Sequence, residues 1–379
     1  MEFFDKGDPT NNGIPYRFPV VTLCLSITDE EEPKIMDTVF LKQICKQDIF
    51  RYNIFVSKGE KFASCCRLHS DAEMLELSSQ VNSFGAGGSL SLGSHRVVTL
   101  NYERLALMAK SMNHFIELIK ENVMDIKKIL YGHKKLLQDL SRNQVFVKYG
   151  WINFKRMFST VGIIGYVEAE EILKKKFSKQ KHEDIMKLML DTLNYEVINN
   201  NEKFEGCIYN VEQVPGESAV HRLPRADKII FDTELPYEIL ANQFVPLFRN
   251  NDISIWEKMQ IDGKYLKGLS GGGIAHINIG EYTTANQTQN IINFAVKSGL
   301  EHFALTGTFC QCIDNHVTLG NKEICSICGK EVKNRIARVV GFFVRVNDMS
   351  DYKRIYDHDK RKEYMNEDFN YKQNDYVAV

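Results

Sequence analysis

Apolar positions along the chain follow two periods, and the changes between them mark out the elements. Residues 1–18, rich in Gly, Pro and Asn, read as a loop. Residues 19–28 form a short apolar run rich in β-branched side chains, the pattern of a buried strand. A second such run, Tyr52–Val56, leads through Lys58-Gly59-Glu60 to the adjacent pair Cys65 and Cys66. Residues 83–96 are rich in Gly and Ser and read as a loop, after which Val97–Leu100 resumes strand character. From Tyr102 the period becomes helical: Leu105, Met108, Met112, Phe115, Ile116 and Ile119 share one face. The stripe Ile126, Ile129, Leu130, Leu136, Leu137 and Leu140 predicts a second helix, and Ile185, Leu188, Met189 and Tyr195, following Asp184, a third. All three stripes read as core packing. The apolar segments Gly206–Val214, Ile274–Ile279 and Phe303–Thr306 alternate with helical stretches. Such alternation predicts an α/β architecture with active groups on the loops at strand ends. Beyond Arg345 the chain is charged and aromatic with few aliphatic residues, so Asp348–Val379 is expected to form a helix and then a solvated tail.

Composition narrows the class without changing this picture. A chain of 379 residues can bury a substantial core in one large domain or two medium ones. With 44% hydrophobic and 26% charged residues it has the balance of a globular protein. A formal net charge of −1 supplies no global basic field for nucleic acid or an anionic membrane. No stretch approaches the roughly 20 apolar residues of a spanning helix. The start, Met1-Glu2-Phe3-Phe4-Asp5, lacks the basic and apolar regions of a secretory signal. The nine cysteines are odd in number and clustered, which argues against a secreted disulfide framework and for a reducing cytoplasm.

The densest chemistry lies near the C-terminus. Cys310-Gln311-Cys312 is followed by Cys325-Ser326-Ile327-Cys328-Gly329, a thiolate pair and a Gly that relieves the tight turn. Cys310, Cys312, Cys325 and Cys328 offer four soft ligands, which suit a closed tetrahedral structural zinc site. The first pair is C-x-C rather than C-x-x-C, and His316 stands as a substitute ligand. An iron–sulfur cluster or redox thiols are the alternatives. Lys322, Lys330, Lys333, Arg335 and Arg338 also allow a ribbon that binds nucleic acid or another protein.

A few residues on comes Arg338-Val339-Val340-Gly341-Phe342-Phe343. This segment, following a four-cysteine site, resembles the glycyl-radical loop of anaerobic (class III) ribonucleoside-triphosphate reductases. A radical on a backbone Cα is stabilised by delocalisation into both flanking amides, which needs local planarity; a Cβ would crowd that centre, so glycine is required. Ser64-Cys65-Cys66-Arg67-Leu68 resembles the family's finger loop. The resemblance implies that Gly341 stores the radical and that Cys66, directly before Arg67, becomes a transient thiyl that takes the 3′ hydrogen of the substrate ribose, with Cys65 as the fallback. Further matches run in order from about residue 12 to about 365. They include residues 12–19, Phe84-Gly85-Ala86-Gly87-Gly88 with residues 97–101, Gly162 to Gly165 with Tyr166, residues 242–247, and Gly271-Gly272-Gly273 with His276. Val214-Pro215-Gly216-Glu217-Ser218-Ala219 is similar to the family's Pro-x-Glu loop. Read from the residues alone, a Pro-Gly turn with a Ser opening a helix aims backbone N–H groups at an anion such as a substrate phosphate, though a plain turn has the same signature. Arg67, Pro215, Gly216, Glu217 and Ser218 are therefore the candidate substrate-binding residues.

The architecture implied by the resemblance is the second part of a ten-stranded α/β barrel. Residues 1–305 would form the partial barrel, with the finger loop around 62–70. A zinc ribbon (306–334), a glycyl-radical loop (335–347) and a C-terminal helix and tail (348–379) would complete the chain. The resemblance also implies reduction of ribonucleoside triphosphates, activation by a radical-SAM enzyme carrying a 4Fe–4S cluster and S-adenosylmethionine, and a homodimeric assembly. The chain departs from the family in beginning just before the finger loop. A separate polypeptide with the N-terminal half-barrel and ATP-cone is therefore the expected partner, since a half-barrel leaves open sheet edges. The stretch Ser89–Arg96 lacks the Asn of formate-using members, which leaves the reductant open between formate and a thioredoxin-type dithiol. Phe342 stands where Tyr is commoner. The other classes are a degenerate remnant, a non-catalytic zinc-ribbon protein whose binding salt would weaken, and a glycyl-radical lyase, against which the preceding zinc site argues.

Overall fold

The computed structural model describes residues 1–58, 61–63, 69–71, 93–178, 184–199, 201–249, 252–338 and 342–369. Its strands are β1 (Val21–Ser26), β2 (Tyr52–Ser57), β3 (Lys61–Ala63), β4 (His69–Asp71), β5 (Ser94–Asn101), β6 (Phe158–Ile164), β7 (Ile208–Gln213), β8 (Ala275–Asn278), β9 (His302–Thr306), β10 (Phe309–Cys312), β11 (Val317–Leu319), β12 (Val332–Arg338) and β13 (Phe343–Arg345). The chain forms two compact units, one of Met1–Gly59, Val245–Lys264 and Ile274–Val379, the other of Glu60–Phe244 and Tyr265–Gly273.

The second unit is built on a parallel sheet in the order β5-β6-β7. Helices Tyr102–Met108 and Met112–Ser141 connect β5 to β6, and Tyr166–Lys176 and Ile185–Ile198 connect β6 to β7. Parallel strands need such crossovers, and the central strand is covered on both faces: every residue of β6 is buried. Gly162 in that strand leaves room for its neighbours, since a Cβ there would come within 2.5 Å of Val214. Gly165, at φ 72°, makes the turn into the next helix, a left-handed conformation that a side chain would strain.

The helical stripes are only partly core. Residues 112–141 form a single helix rather than the end of one and a separate second, opened by Ser111, whose hydroxyl accepts from the His114 N–H at 3.1 Å. Its buried residues run from Phe115 through Ile126 and Leu130 to Lys134, whereas Ile129, Leu136 and Leu140 are exposed. Thirty residues of helix extend about 45 Å, and an eight-residue strand about 27 Å, so the last turns outrun the sheet. Leu188 and Tyr195 are likewise exposed while Ile185 and Met189 are buried.

In the first unit the sheet order is β1-β2-β9-β8. The pairs β1–β2 and β8–β9 are parallel, and β2–β9 is antiparallel through Ile54↔Phe303 and Phe55↔His302. A second, antiparallel sheet runs β11-β10-β12-β13. The expected C-terminal helix is present as Asp351–Tyr356, but residues 357–369 beyond it are not a solvated tail. Asp357, His358, Tyr364 and Phe369 are buried, and Tyr364 bridges to Ile279. The charge there is neutralised locally, because Asp357 pairs with both Arg361 and Lys353. No helix among the described residues is long and apolar enough to cross a membrane.

Candidate functional site

The ribbon gathers the metal-binding chemistry. Cys312, His316, Cys325 and Cys328 bring their ligand atoms within 4.8 Å of one another. Cys312 Sγ lies 3.6 Å from His316 Nδ1 and 3.7 Å from Cys328 Sγ. Ligands at about 2.3 Å from a tetrahedral zinc would stand about 3.8 Å apart, so these separations suit that ion. Two turns shape the group. The Cys312 N–H donates to the His316 carbonyl at 3.1 Å, with Asn315 in the left-handed region at φ 66°. Around the other pair, the Gly329 N–H donates to the Cys325 carbonyl and the Cys325 N–H to the Lys330 carbonyl. Burial works against ionisation of Cys325, but the N–H groups of Cys328 and Ile327, together with the Cys328 and Cys312 thiols, outweigh it and bring the thiol down to about 7. Thiolate is the form that binds metal.

Cys310, the remaining member of the expected four-cysteine set, is not in this group of ligand atoms. Residues two apart on a regular strand point to the same face, and Cys310 and Cys312 would do so on β10. The pairing with β12 shifts register between Gln311 and Cys312, the extra residue being Lys333 of β12. Cys310 is buried with its thiol on the Gly320 carbonyl at 3.0 Å, and burial pushes that thiol's pKa up. His316, the substitute ligand in the sequence, takes the fourth place.

The loop after β7 turns at Gly216, whose carbonyl accepts from the Ala219 and Val220 N–H groups. Gly216 has φ 73° and a Cβ there would meet Ile164 at 2.6 Å. Asn242 holds the loop, its Nδ2 donating to the Pro215 carbonyl at 2.8 Å. Glu217 and Ser218 are exposed, and Ser218 stands at the start of helix Ala219–Ile230 with no side-chain capping bond. Cys65, Cys66, Arg67 and Gly341 lie outside the described residues.

Sequence reasoning missed a buried acidic cluster beside this loop's helix. Asp227 of helix Ala219–Ile230 is fully buried and accepts from Arg104 Nε at 2.7 Å and Asn101 Nδ2 at 3.0 Å. Glu103, also fully buried, accepts from the Tyr237 hydroxyl at 2.9 Å. Glu168 accepts from the Ala241 N–H at 2.8 Å. Burial raises the Glu103 carboxyl to about 8 against the lowering effect of Tyr237, and the nearby Asp227 and Glu168 add to the rise. Glu103 is thus protonated at neutral pH. No local pattern could have revealed the cluster, since its members sit on separate elements far apart in sequence.

With this geometry in view, the similarities are specific. The family model for anaerobic ribonucleoside-triphosphate reductase matches residues 1–364. A solved anaerobic ribonucleotide reductase is similar at 26% identity and a TM-score of 0.75, over 92% of this chain and 55% of that one. The anaerobic ribonucleotide reductase of Thermotoga maritima with MES in its active site is similar at 26% identity and TM-score 0.70, over 88% of this chain and 55% of its own. The same Thermotoga maritima enzyme in complex with dATP and CTP gives 26% identity and TM-score 0.69, over 88% and 54%. No curated protein matches the sequence. The chain therefore spans just over half the length of the solved reductases it resembles, and it has their mixed α/β fold with parallel sheets. The chain belongs to the anaerobic ribonucleoside-triphosphate reductase family.

Proposed function

We propose that this chain is the radical-bearing part of an enzyme that reduces ribonucleoside triphosphates to 2′-deoxyribonucleoside triphosphates. Gly341 stores the radical and Cys66 starts the chemistry at the ribose, with Cys65 as the alternative thiol. Arg67 and the loop Pro215 to Ser218 hold the substrate, the loop through backbone N–H groups at the start of a helix. Zinc in the ribbon is structural, held by Cys312, His316, Cys325 and Cys328 at the base of the strands that lead to Gly341. A radical-SAM activase installs the radical, and formate or a thioredoxin-type dithiol supplies the electrons. Thiols in use this way fit a reducing cytoplasm. Turnover is assigned to a homodimeric assembly that includes the remainder of the barrel, carried on the same polypeptide or on a separate one.

The observation that carries this reading is the donor cluster in β10–β12 directly preceding Arg338-Val339-Val340-Gly341, within a family match that runs through both. The test is electron paramagnetic resonance after anaerobic incubation with activase, S-adenosylmethionine and reductant, with and without an added N-terminal half. A doublet that disappears in Gly341→Ala, with deoxynucleotide formed from ribonucleoside triphosphate, is the expected result. A folded, zinc-loaded protein that stays silent in both mixtures would overturn the reading.

A further inference from the structure

Arg338, the last residue of β12, is 2% exposed. Its guanidinium reaches out of its own sheet to β2: one nitrogen donates to the Tyr52 carbonyl at 3.0 Å and another to Asn53 Oδ1 at 2.6 Å. The same group lies 5.4 Å from the ring centroid of Phe343, its cross-strand partner on β13. Phe343 in turn packs edge-on against Phe309 of β10 at 5.9 Å. Behind the residue, the Arg338 carbonyl faces Arg361, which Asp357 holds through both carboxylate oxygens. A polar cavity of about 10 Å³, lined by Arg338, Arg361, His358, Thr306 and Thr308 among others, lies beside it and has the size of a single water.

Three strands thus meet on one guanidinium. β12 carries it, β13 touches it through Phe343, and β2 binds it through two oxygens. Residues 339–342 join the β12–β13 pair, and they include Gly341. β2 is the strand that runs on toward Cys65 and Cys66. A planar fork is needed to reach a backbone carbonyl and an amide oxygen at once, which an ammonium cannot reproduce.

We infer, resting on the reading of Gly341 and Cys66 above, that Arg338 is a positioning residue for radical transfer. It holds the strand leading to Gly341 in fixed register against the strand leading to the thiol. It touches neither substrate nor the reacting atoms. Its effect is on the register of β12 against β2, and for a step that depends on that register a displacement of about 1 Å can cost on the order of a hundredfold in rate.

The experiment compares wild type, Arg338→Gln, Arg338→Lys and the double variant Arg338→Lys with Asn53→Asp, each in the assembled, activated enzyme. In the double variant a carboxylate on β2 faces an ammonium on β12, restoring the tie by charge. Arg338→Gln should keep its zinc and its glycyl doublet while kcat falls about tenfold or more and KM stays within about twofold. Amide exchange at Phe343 and Val344 should quicken about tenfold, Arg338→Lys should be intermediate, and the double variant should recover most of kcat. Unchanged kcat and exchange in a folded Arg338→Gln enzyme would overturn the inference. So would a double variant no better than Arg338→Lys, and that pair decides the matter if the Gln variant does not fold. A wild-type enzyme without a doublet would count against the proposed function instead, and the exchange rates alone would then test the tie.

Discussion

The ribbon and the acidic cluster of the parallel-sheet unit both concentrate ionisable side chains, but they settle the charge in opposite ways. In the ribbon, three thiols and an imidazole converge within 4.8 Å, an arrangement of electron-pair donors that calls for a cation. In the cluster, each carboxylate has its own protein donor: Arg104 and Asn101 for Asp227, Tyr237 for Glu103, and the Ala241 N–H for Glu168. One surplus negative charge is removed by keeping a proton on Glu103. The lesson is that a dense group of titratable residues marks a ligand site when the donors face one another. It marks internal support when each carboxylate already has a donor within the protein.

The sharpest break in this comparison is removal of the metal. Structural zinc contributes on the order of 10–16 kcal/mol to small zinc folds, so Cys325→Ser should lose bound zinc and expose β10 and β12 to rapid amide exchange. His316→Ala should lose metal in the same way, whereas Cys310→Ser should retain it, its thiol being committed to the Gly320 carbonyl. Zinc content per chain decides between the two ligand sets, and the opposite pattern would restore Cys310 as the fourth ligand.

A smaller effect is expected where support is internal. Asp227→Ala leaves Arg104 and Asn101 without their shared acceptor. Breaking a fully buried pair costs about 3–5 kcal/mol. Because the Arg104 side chain is 36% exposed and regains water, about 2–3 kcal/mol is the expected loss in urea denaturation. Zinc content should not change. A loss below about 0.5 kcal/mol would place Asp227 among ordinary surface acids.

The remaining effect is one of pH. The folded-state pKa of Glu103 is raised from 4.5 to about 8, so the folded chain binds the extra proton between those values. The stability contributed by neutral Glu103 is complete below pH 4.5 and is lost as pH rises through about 8. The slope is at most about 1.4 kcal/mol per pH unit for one proton. Glu103→Gln, which cannot ionise, should flatten this part of the stability profile. An unaltered slope would show that another group carries it.

Much of the frame was legible along the chain. The apolar runs at 19–28, 52–56, 206–214, 274–279 and 303–306 each overlap an observed strand, and the 3.6-residue stripes each lie on observed helices. What the stripes could not tell was how far burial extends. Leu136 and Leu140 look like core by spacing and are exposed because they lie beyond the last buried residue, Lys134, whereas Ile129 is exposed between buried neighbours because it faces away from them on the helix. The charged stretch after 357 erred the other way. Its composition suggests solvent, yet Asp357 and Arg361 neutralise one another and let Tyr364 reach the core.

By itself the sequence determined which residue types stand close along the chain: two cysteine pairs with a nearby histidine, a turn at 215–218, and the strand and helix periods. These come from local backbone geometry, which repeats every two or 3.6 residues whatever the rest of the chain does. Tertiary structure alone decided that His316 stands with Cys312, Cys325 and Cys328 while Cys310 stands apart from them. It alone assembled Asn101, Glu103, Glu168, Asp227 and Tyr237, and brought Arg338 to Tyr52 and Asn53 across 286 and 285 residues of chain. Contacts at such separations depend on how strands are ordered in a sheet, and no periodicity within one segment encodes that order.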